Sequence, residues 1–313
     1  GRAARLRELT GLARILFCNS GTEAIEAMLK LARRYFFARG EPDRFRVVAF
    51  QNAFHGRTLG ALAVTGQPKY RDGFGPLLGV SHVPFGDADA VRAAMGPDVA
   101  AILVEPVQGE GGVVPAPRGF LAALREIADA HGALLIGDEV QTGLGRTGAF
   151  LGFQREGVRP DAVALAKALG GGFPIGAMAA SEALLGALPP GSHGSTFAGN
   201  PLASAAALTV LEVMEEERLI EGARTKGEHL ARALAALQER HPSQVAATRG
   251  IGLLHAVALQ PGVDAGRALA ATRAEGVLLT LAGGALRLSP PLVVTTEQLD
   301  RGVAAIDRAL GAL

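Results

Sequence analysis

Residues 133–139 read ALLIGDE, five apolar or small residues that deliver two acids, Asp138 and Glu139, at their end. A run of that length with no polar alternation is the pattern of a strand buried on both faces. Four similar runs flank it in the chain: ARILFCNS (13–20), RFRVVAF (44–50), VAAILVEP (99–106) and DAVALAK (161–167). Between several of them lie amphipathic stretches, Thr22–Ala38 and Gly119–His131, whose apolar positions recur at three and four residues. Strands alternating with helices predict an α/β domain with a mostly parallel sheet, and such sheets collect ligands at the carboxyl ends of their strands. After Asn200-Pro201 the pattern changes. A helix rich in Ala and Leu, over about 201–216, leads into further helices and two strand-like runs, Gly252–Leu259 and Ala285–Ser289. The expected division is a large domain, 1–199, and a smaller C-terminal α+β domain, 200–313.

Composition narrows the function classes. Of 313 residues, 49% are hydrophobic and 19% charged, which supplies a core and excludes a dominantly disordered chain. A formal net charge of +1 gives no footing for nucleic acid or an anionic membrane surface, so any anion must be held by a local site. Cys18 is the single cysteine, which excludes a disulfide framework and a Cys-based zinc site and fits a reduced, cytoplasmic setting. No metal is expected. No apolar run reaches the roughly 18 residues of a spanning helix, and no signal peptide is evident. The sequence starts at Gly1 without an initiator Met and reads as a fragment of a longer reading frame.

Polar and glycine residues cluster where the runs end. The first ends in Asn19-Ser20-Gly21-Thr22, which reads either as a helix cap with the S-x-x-E spacing of Ser20 and Glu23, or as a phosphate site on first-turn amides. The second leads to Phe54-His55-Gly56-Arg57, an aromatic beside a histidine, fit to stack on a planar ring or to serve as core and surface. The third ends in Glu105-Pro106-Val107-Gln108-Gly109-Glu110-Gly111-Gly112, with more acids and glycines than a structural turn needs. Asp138, directly after a buried run, needs a partner: a cationic heterocycle nitrogen, or an internal Arg or Lys. Gly143-Leu144-Gly145-Arg146-Thr147-Gly148 matches the dinucleotide fingerprint in spelling but has no helix opening after it and no acid at the usual distance. Lys167 follows an apolar run and precedes three glycines, which lowers its pKa by desolvation and clears space around a nucleophilic amine. The loop His193-Gly194-Ser195-Thr196 adds hydroxyls for a phosphate or for a turn. A phosphate cradle, a stacking aromatic, an acid for a ring nitrogen and a depressed-pKa lysine are together the parts that pyridoxal phosphate chemistry requires.

Taken in order, FCNSGTEA, NAFHGRTLGALAVTGQPKY, EPVQGEGGV, DEVQTGLGRTG, AKALGGGFPIGAM, HGSTFAGNPLA, RGIGLL and LRLSPPLVV resemble the class III aminotransferases of fold type I, from Leu9 to the C-terminus. The resemblance implies a pyridoxal 5'-phosphate enzyme in which Lys167 is the Schiff-base lysine and Asp138 the partner of the pyridine nitrogen. Phe54 and Val140 would sandwich the ring, and Gln141 would bond its hydroxyl. Gly21 and Thr22 would hold the phosphate, with Thr196 reaching it from the neighbouring subunit of a homodimer with shared sites. Ser20, His55 and Ser195 join the implied cofactor set. On the substrate side, Arg287 would clamp the α-carboxylate and Arg57 the distal carboxylate of glutamate or 2-oxoglutarate. Glu110 would gate Arg287, and Glu105 completes the implied substrate set. The implied reaction moves the terminal amino group of N-acetylornithine to 2-oxoglutarate, and possible relatives of that substrate include succinyldiaminopimelate. Other ω-amino substrates (ornithine, 4-aminobutyrate, acyl-lysine), or a non-catalytic module, are the alternatives. The family's N-terminal segment, which covers the site mouth, is expected to be missing here.

Overall fold

The computed structural model describes residues 2–184 and 186–313. Its strands in chain order are β1 (Arg14–Cys18), β2 (Arg46–Phe50), β3 (Val80–Val83), β4 (Val99–Val104), β5 (Val107–Gln108), β6 (Val114–Pro115) and β7 (Leu134–Asp138), followed by β8 (Ala162–Leu165), β9 (Gly176–Ala180), β10 (Val245–Ile251), β11 (Leu254–Leu259), β12 (Thr280–Ala282) and β13 (Ala285–Leu288). Seven of them form one sheet in the order β1-β9-β8-β7-β4-β2-β3. The five runs read from the sequence are all in it. β3-β2-β4-β7-β8 pair in parallel, whereas β9 is antiparallel to both β8 and β1. Because β9 reverses twice, β1 runs the same way as β8. All five legible runs therefore end at one edge, and their polar tails meet there.

The sheet is covered on both faces, which is why its strands carry no polar alternation. Every residue of β4 is buried. Ile25, Met28, Leu31 and Phe36 of the helix Gly21–Ala38 pack on one face, and Phe120, Leu121, Leu124 and Ile127 of the helix Phe120–Ala130 pack on the other. Strand period shows in β8, where Ala162 and Ala164 face the first of these cores while Val163 and Leu165 face Ala203, Ala207 and Leu211 of the helix Pro201–Glu216. β9, Gly-Ala-Met-Ala-Ala, has little intrinsic strand preference, and close approach selects its residues. A Cβ on Gly176 would overlap the carbonyl oxygen of Ser20.

A second sheet, β10-β11-β13-β12, is antiparallel throughout. Leu230, Leu234 and Leu237 of the helix Leu219–Arg240 and Ile306 of the helix Thr296–Gly311 bury Val257 and Leu286 against it. Arg146 ties this layer to the first sheet. Its guanidinium donates to the carbonyls of Leu253 (3.0 Å) and Pro290 (2.5 Å), and its own carbonyl accepts from the Leu253 amide. The glycine-rich stretch 143–148 is thus a run of turns that carries a bridging arginine, followed by a 3-10 turn, Gly152–Glu156, and not by an α-helix. Among the described residues no helix is long and apolar enough to cross a membrane.

Gly137 and Phe153 set the position of the acid that ends β7. Phe153 is fully buried, and a Cβ on Gly137 would overlap its ring. Gly137→Ala is expected to lower stability by ~1–3 kcal/mol through overpacking. The urea midpoint should fall with an unchanged slope, and an unaltered midpoint would show that Phe153 moves aside freely.

Candidate active site

A cavity of about 490 Å³ opens at the carboxyl edge of the large sheet. It is lined by Ser20, Gly21 and Thr22 after β1, by Phe54, His55 and Arg57 after β2, and by Glu105 after β4. Asp138, Val140 and Gln141 after β7 and Lys167 after β8 complete the wall from the chain's central strands. Eleven candidate positions spread over 148 residues of sequence thus share one wall.

At its centre Asp138 is buried, and both carboxylate oxygens are engaged. Oδ2 lies 2.7 Å from His55 Nδ1, and Oδ1 accepts from the Val140 amide at 2.9 Å. Burial pushes the His55 imidazole down, but the Asp138 hydrogen bond and charge outweigh it, so its pKa is raised above 6.5. His55 Nε2 is buried without a partner. Glu105 accepts from the Phe54 amide at 3.1 Å, and burial pushes its carboxyl up to about 8, with His55 opposing and the Asp138 charge reinforcing the shift. The neighbouring Glu139 points away from the cavity. It accepts from the Phe153 amide (3.0 Å) and from the Thr142 hydroxyl, and burial pushes it up to about 7.

Lys167 is exposed to the cavity and sits at φ +41°, a left-handed conformation costly for a residue with a Cβ. Its amine is surrounded closely enough for desolvation to lower its pKa below 10.5, against the opposing charges of Asp138, Glu105 and Glu110. At the β1 end of the cavity the helix-cap reading is met, and the residues of the phosphate reading line the wall. Ser20 caps the helix Gly21–Ala38 by accepting from the Glu23 amide at 3.3 Å, and the same first turn lines the cavity. Beside it the Thr22 and Thr58 hydroxyls lie 3.0 Å apart, and Thr58 donates to Glu26 at 2.6 Å. A Cβ on Gly56 would overlap the Thr22 hydroxyl, and one on Gly109 would overlap the Gln141 amide, so both glycines keep the wall open.

Arg287, in the middle of the small sheet, reaches across to Glu110 at 2.5 Å, and Glu110 also accepts from Gln141 at 3.4 Å. Arg57 has no carboxylate partner among the described residues; its guanidinium lies 4.1 Å from the ring centroid of Tyr70 and 5.5 Å from that of Phe54. Ser195 and Thr196 are not brought into this cavity. They are exposed and line a separate one beside β1, from which the Ser195 hydroxyl accepts from Asn19 at 2.8 Å. Sequence reading gave no role to Tyr70, whose ring faces Arg57 from thirteen positions on, or to Arg249. Arg249 donates to the Gly112 carbonyl at 2.8 Å and so steadies the loop that carries Glu110. Among the described residues no group of three His, Cys, Asp or Glu is placed to hold a metal ion.

The donor set fits pyridoxal phosphate: a buried carboxylate for a cationic ring nitrogen, an aromatic and a valine on the wall, an amine whose pKa is lowered by desolvation, and a helix N-terminus with a hydroxyl for the phosphate. Comparisons with known proteins agree. The family model "Aminotransferase class-III" matches residues 2–310. An acetylornithine aminotransferase of Myxococcus xanthus is 51% identical over 301 residues, covering 95% of this chain and 75% of its own length. A second, from Bradyrhizobium diazoefficiens, is 48% identical over 96% of this chain and 74% of its own. Among solved structures, the ornithine aminotransferase of Toxoplasma gondii superposes with a TM-score of 0.95 at 34% identity, covering 99% of this chain and 76% of that one. An amine transaminase from an uncultivated Pseudomonas species, solved with pyridoxal phosphate bound, gives 0.93 at 34% identity over 99% of this chain and 80% of its own. The chain spans about three-quarters of the length of these relatives, and it belongs to the class III aminotransferases, pyridoxal-phosphate-dependent transaminases of fold type I.

Proposed function

We propose that this chain transfers the terminal amino group of N-acetylornithine to 2-oxoglutarate, giving N-acetylglutamate 5-semialdehyde and glutamate. The observation that carries the reading is the contrast between its two arginines. Arg287 is held by Glu110 at 2.5 Å, while Arg57 stands free of any carboxylate among the described residues. The relatives named acetylornithine aminotransferases support the choice of donor. Succinyldiaminopimelate, also an acylated diamino acid, would be a donor of the same chemistry.

Bound pyridoxal phosphate supplies an electron sink for the carbon that bears the transferred amine. Gly21 and Thr22 would hold its phosphate, Asp138 its ring nitrogen, and Phe54 and Val140 its two faces, with Gln141 at the ring hydroxyl. His55 Nδ1, 2.7 Å from Asp138 Oδ2, fixes the orientation of that carboxylate. Lys167 Nζ, its pKa lowered by desolvation, would take the proton from the amine-bearing carbon of the donor and pass it to the bound cofactor within that half-reaction, and would run the same transfer in reverse for the acceptor. Arg57 and Arg287 would orient the dicarboxylate at its two ends; with N-acetylornithine bound, its carboxylate would lie at the distal end, toward Arg57, and Glu110 would keep its pair with Arg287. The exposed loop with Ser195 and Thr196, together with exposed Phe197 and Leu202, supports a homodimer in which Thr196 reaches the neighbour's phosphate. Residues 1–199 serve as the cofactor-binding domain and 200–313 as the small domain, in a cytoplasmic enzyme.

Three outcomes are expected. With pyridoxal phosphate added, the purified chain should show a visible absorption band that bleaches on adding N-acetylornithine; bleaching by ornithine or 4-aminobutyrate alone would change the substrate. Lys167→Ala should cost at least about 10²-fold in turnover and remove the band, and a variant that keeps both refutes its role. Cofactor capture by the cofactor-free protein should accelerate with pH and level off below 10.5, because the neutral amine is the reactive form and its pKa is lowered. Glu105→Gln removes a charge that favours the protonated amine, so the rising limb should move to lower pH. A shift to higher pH in stopped-flow absorbance would contradict that assignment.

A further inference from the structure

Arg57 is an exposed, long side chain at the mouth of the cavity with no carboxylate to hold it among the described residues. Two rings hold it instead. Its guanidinium carbon is 4.1 Å from the Tyr70 centroid and 5.5 Å from that of Phe54, and the two rings meet edge to face at 5.6 Å and 79°. A guanidinium stacked by its flat face keeps its N–H edge free, and that edge is the fork that binds a carboxylate bidentately. An acidic partner in the same place would occupy the fork and compete with substrate. Tyr70 therefore orders the cation without neutralising it.

The ring is itself anchored to the wall it serves. Tyr70 lies half-buried in the short helix Pro68–Arg71, and its amide donates to the Gln67 carbonyl at 3.1 Å. The buried Gln67 side chain donates to the Asn52 carbonyl at 3.1 Å, and the Asn52 amide donates to Gly66 at 3.1 Å. The platform under Arg57 is thus pinned to the segment that delivers Phe54. Lys69 Nζ, 4.8 Å from the same ring, adds a second cation at the mouth.

We propose that Tyr70 is a positioning residue that holds Arg57 for the distal carboxylate of the amino acceptor, and so sets the preference for dicarboxylates over monocarboxylates. The proposal rests on the function proposed above. It makes the aromatic face the working part of Tyr70, with the hydroxyl dispensable.

The test uses the cofactor-loaded protein with Tyr70→Phe, Tyr70→Leu and Arg57→Ala. KM and kcat are measured for 2-oxoglutarate, for pyruvate as a monocarboxylate acceptor and for N-acetylornithine, and the dissociation constant of glutarate is measured by calorimetry. Tyr70→Leu is expected to raise the KM for 2-oxoglutarate and the glutarate dissociation constant about five- to thirtyfold. KM for pyruvate, kcat and the cofactor's absorption band should stay close to wild type, KM for N-acetylornithine, whose one carboxylate is also distal to the reacting carbon, should rise with that for 2-oxoglutarate, and Tyr70→Phe should restore dicarboxylate affinity. A Tyr70→Phe variant as weak as Tyr70→Leu overturns the proposal. So does a Tyr70→Leu variant that loses affinity for all three substrates alike or sheds the cofactor, which would mark a general structural role. If Arg57→Ala weakens glutarate and Tyr70→Leu does not, Arg57 keeps its role and Tyr70 loses its own. If Arg57→Ala leaves glutarate binding unchanged, the reading of the dicarboxylate site fails first, and the Tyr70 proposal falls with it.

Discussion

A buried carboxylate at the end of the central strand is the constraint from which the site is built. Asp138 terminates β7 between β4 and β8, where an unpaired charge costs several kcal/mol. Both its oxygens receive N–H groups, one from the turn that follows and one from His55. His55 is fully buried in turn, and its amide donates to Thr65 at 3.0 Å. Stabilising one charge therefore fixes the turn 138–141, the segment 51–58 and the short helix Leu59–Val64 together. The same field explains its neighbours. Glu105, buried close by, resists ionising next to Asp138, and the Lys167 amine is desolvated among these groups. Acid and base character around the cavity follow from one paired charge and the burial around it.

The second structural device is a pair of arginines bonded to carbonyls. Arg146 leaves the turn region after Asp138 and donates to Leu253 and Pro290, which bracket the sheet that carries Arg287. Arg249 leaves that sheet and donates to Gly112, two residues from Glu110. Burial lowers both pKa values, and neither guanidinium reaches a carboxylate among the described residues. A charged donor to a neutral carbonyl makes a stronger bond than an amide donor does, which suits a joint between two layers. Between them the Glu110–Arg287 pair lies near enough to the Lys167 amine for both charges to act on its pKa.

What was legible in the sequence follows from the same physics. The five central runs stand out because parallel strands buried on both faces cannot afford polar residues, and the polar clusters at their ends mark the cavity edge. β9 was not legible, since Gly-Ala-Met-Ala-Ala reads as neither strand nor helix and its pairing is set by contact with Ser20 and β8. β3, with Ser81 and His82 in four residues, lies at the sheet edge and shows no apolar run, while β12 is only three residues long. Within the site, Asp138 and Lys167 were readable from their places at strand ends. The contact between Glu110 and Arg287 spans 177 residues and came only from family resemblance. Tyr70 carries no signal of its own, because the use of its ring depends on a four-residue helix folding back over Arg57.

The two arginines proposed to face substrate differ in what holds them, and in the proposed cycle that difference lets a protein of net charge +1 treat anions selectively. No global field distinguishes one acid from another here, so each carboxylate must be read by a local partner. Arg57 rests on aromatic faces, which polarise toward the cation without satisfying its N–H donors, and it is open to a carboxylate at any time. Arg287 already holds a carboxylate and a hydroxyl, Glu110 at 2.5 Å and Thr280 at 3.1 Å, and it accepts an external anion only by exchange. In the proposed cycle a dicarboxylate engages the open arginine first and gains affinity by displacing Glu110 from the other. An acylated diamino acid reacts at its terminal amine, so its one carboxylate lies at the distal end within reach of the open arginine, and the Glu110–Arg287 pair spares the site an uncompensated charge while it binds. One cavity thereby serves both substrates, because one of its cations brings its own counter-ion and the other is kept without one.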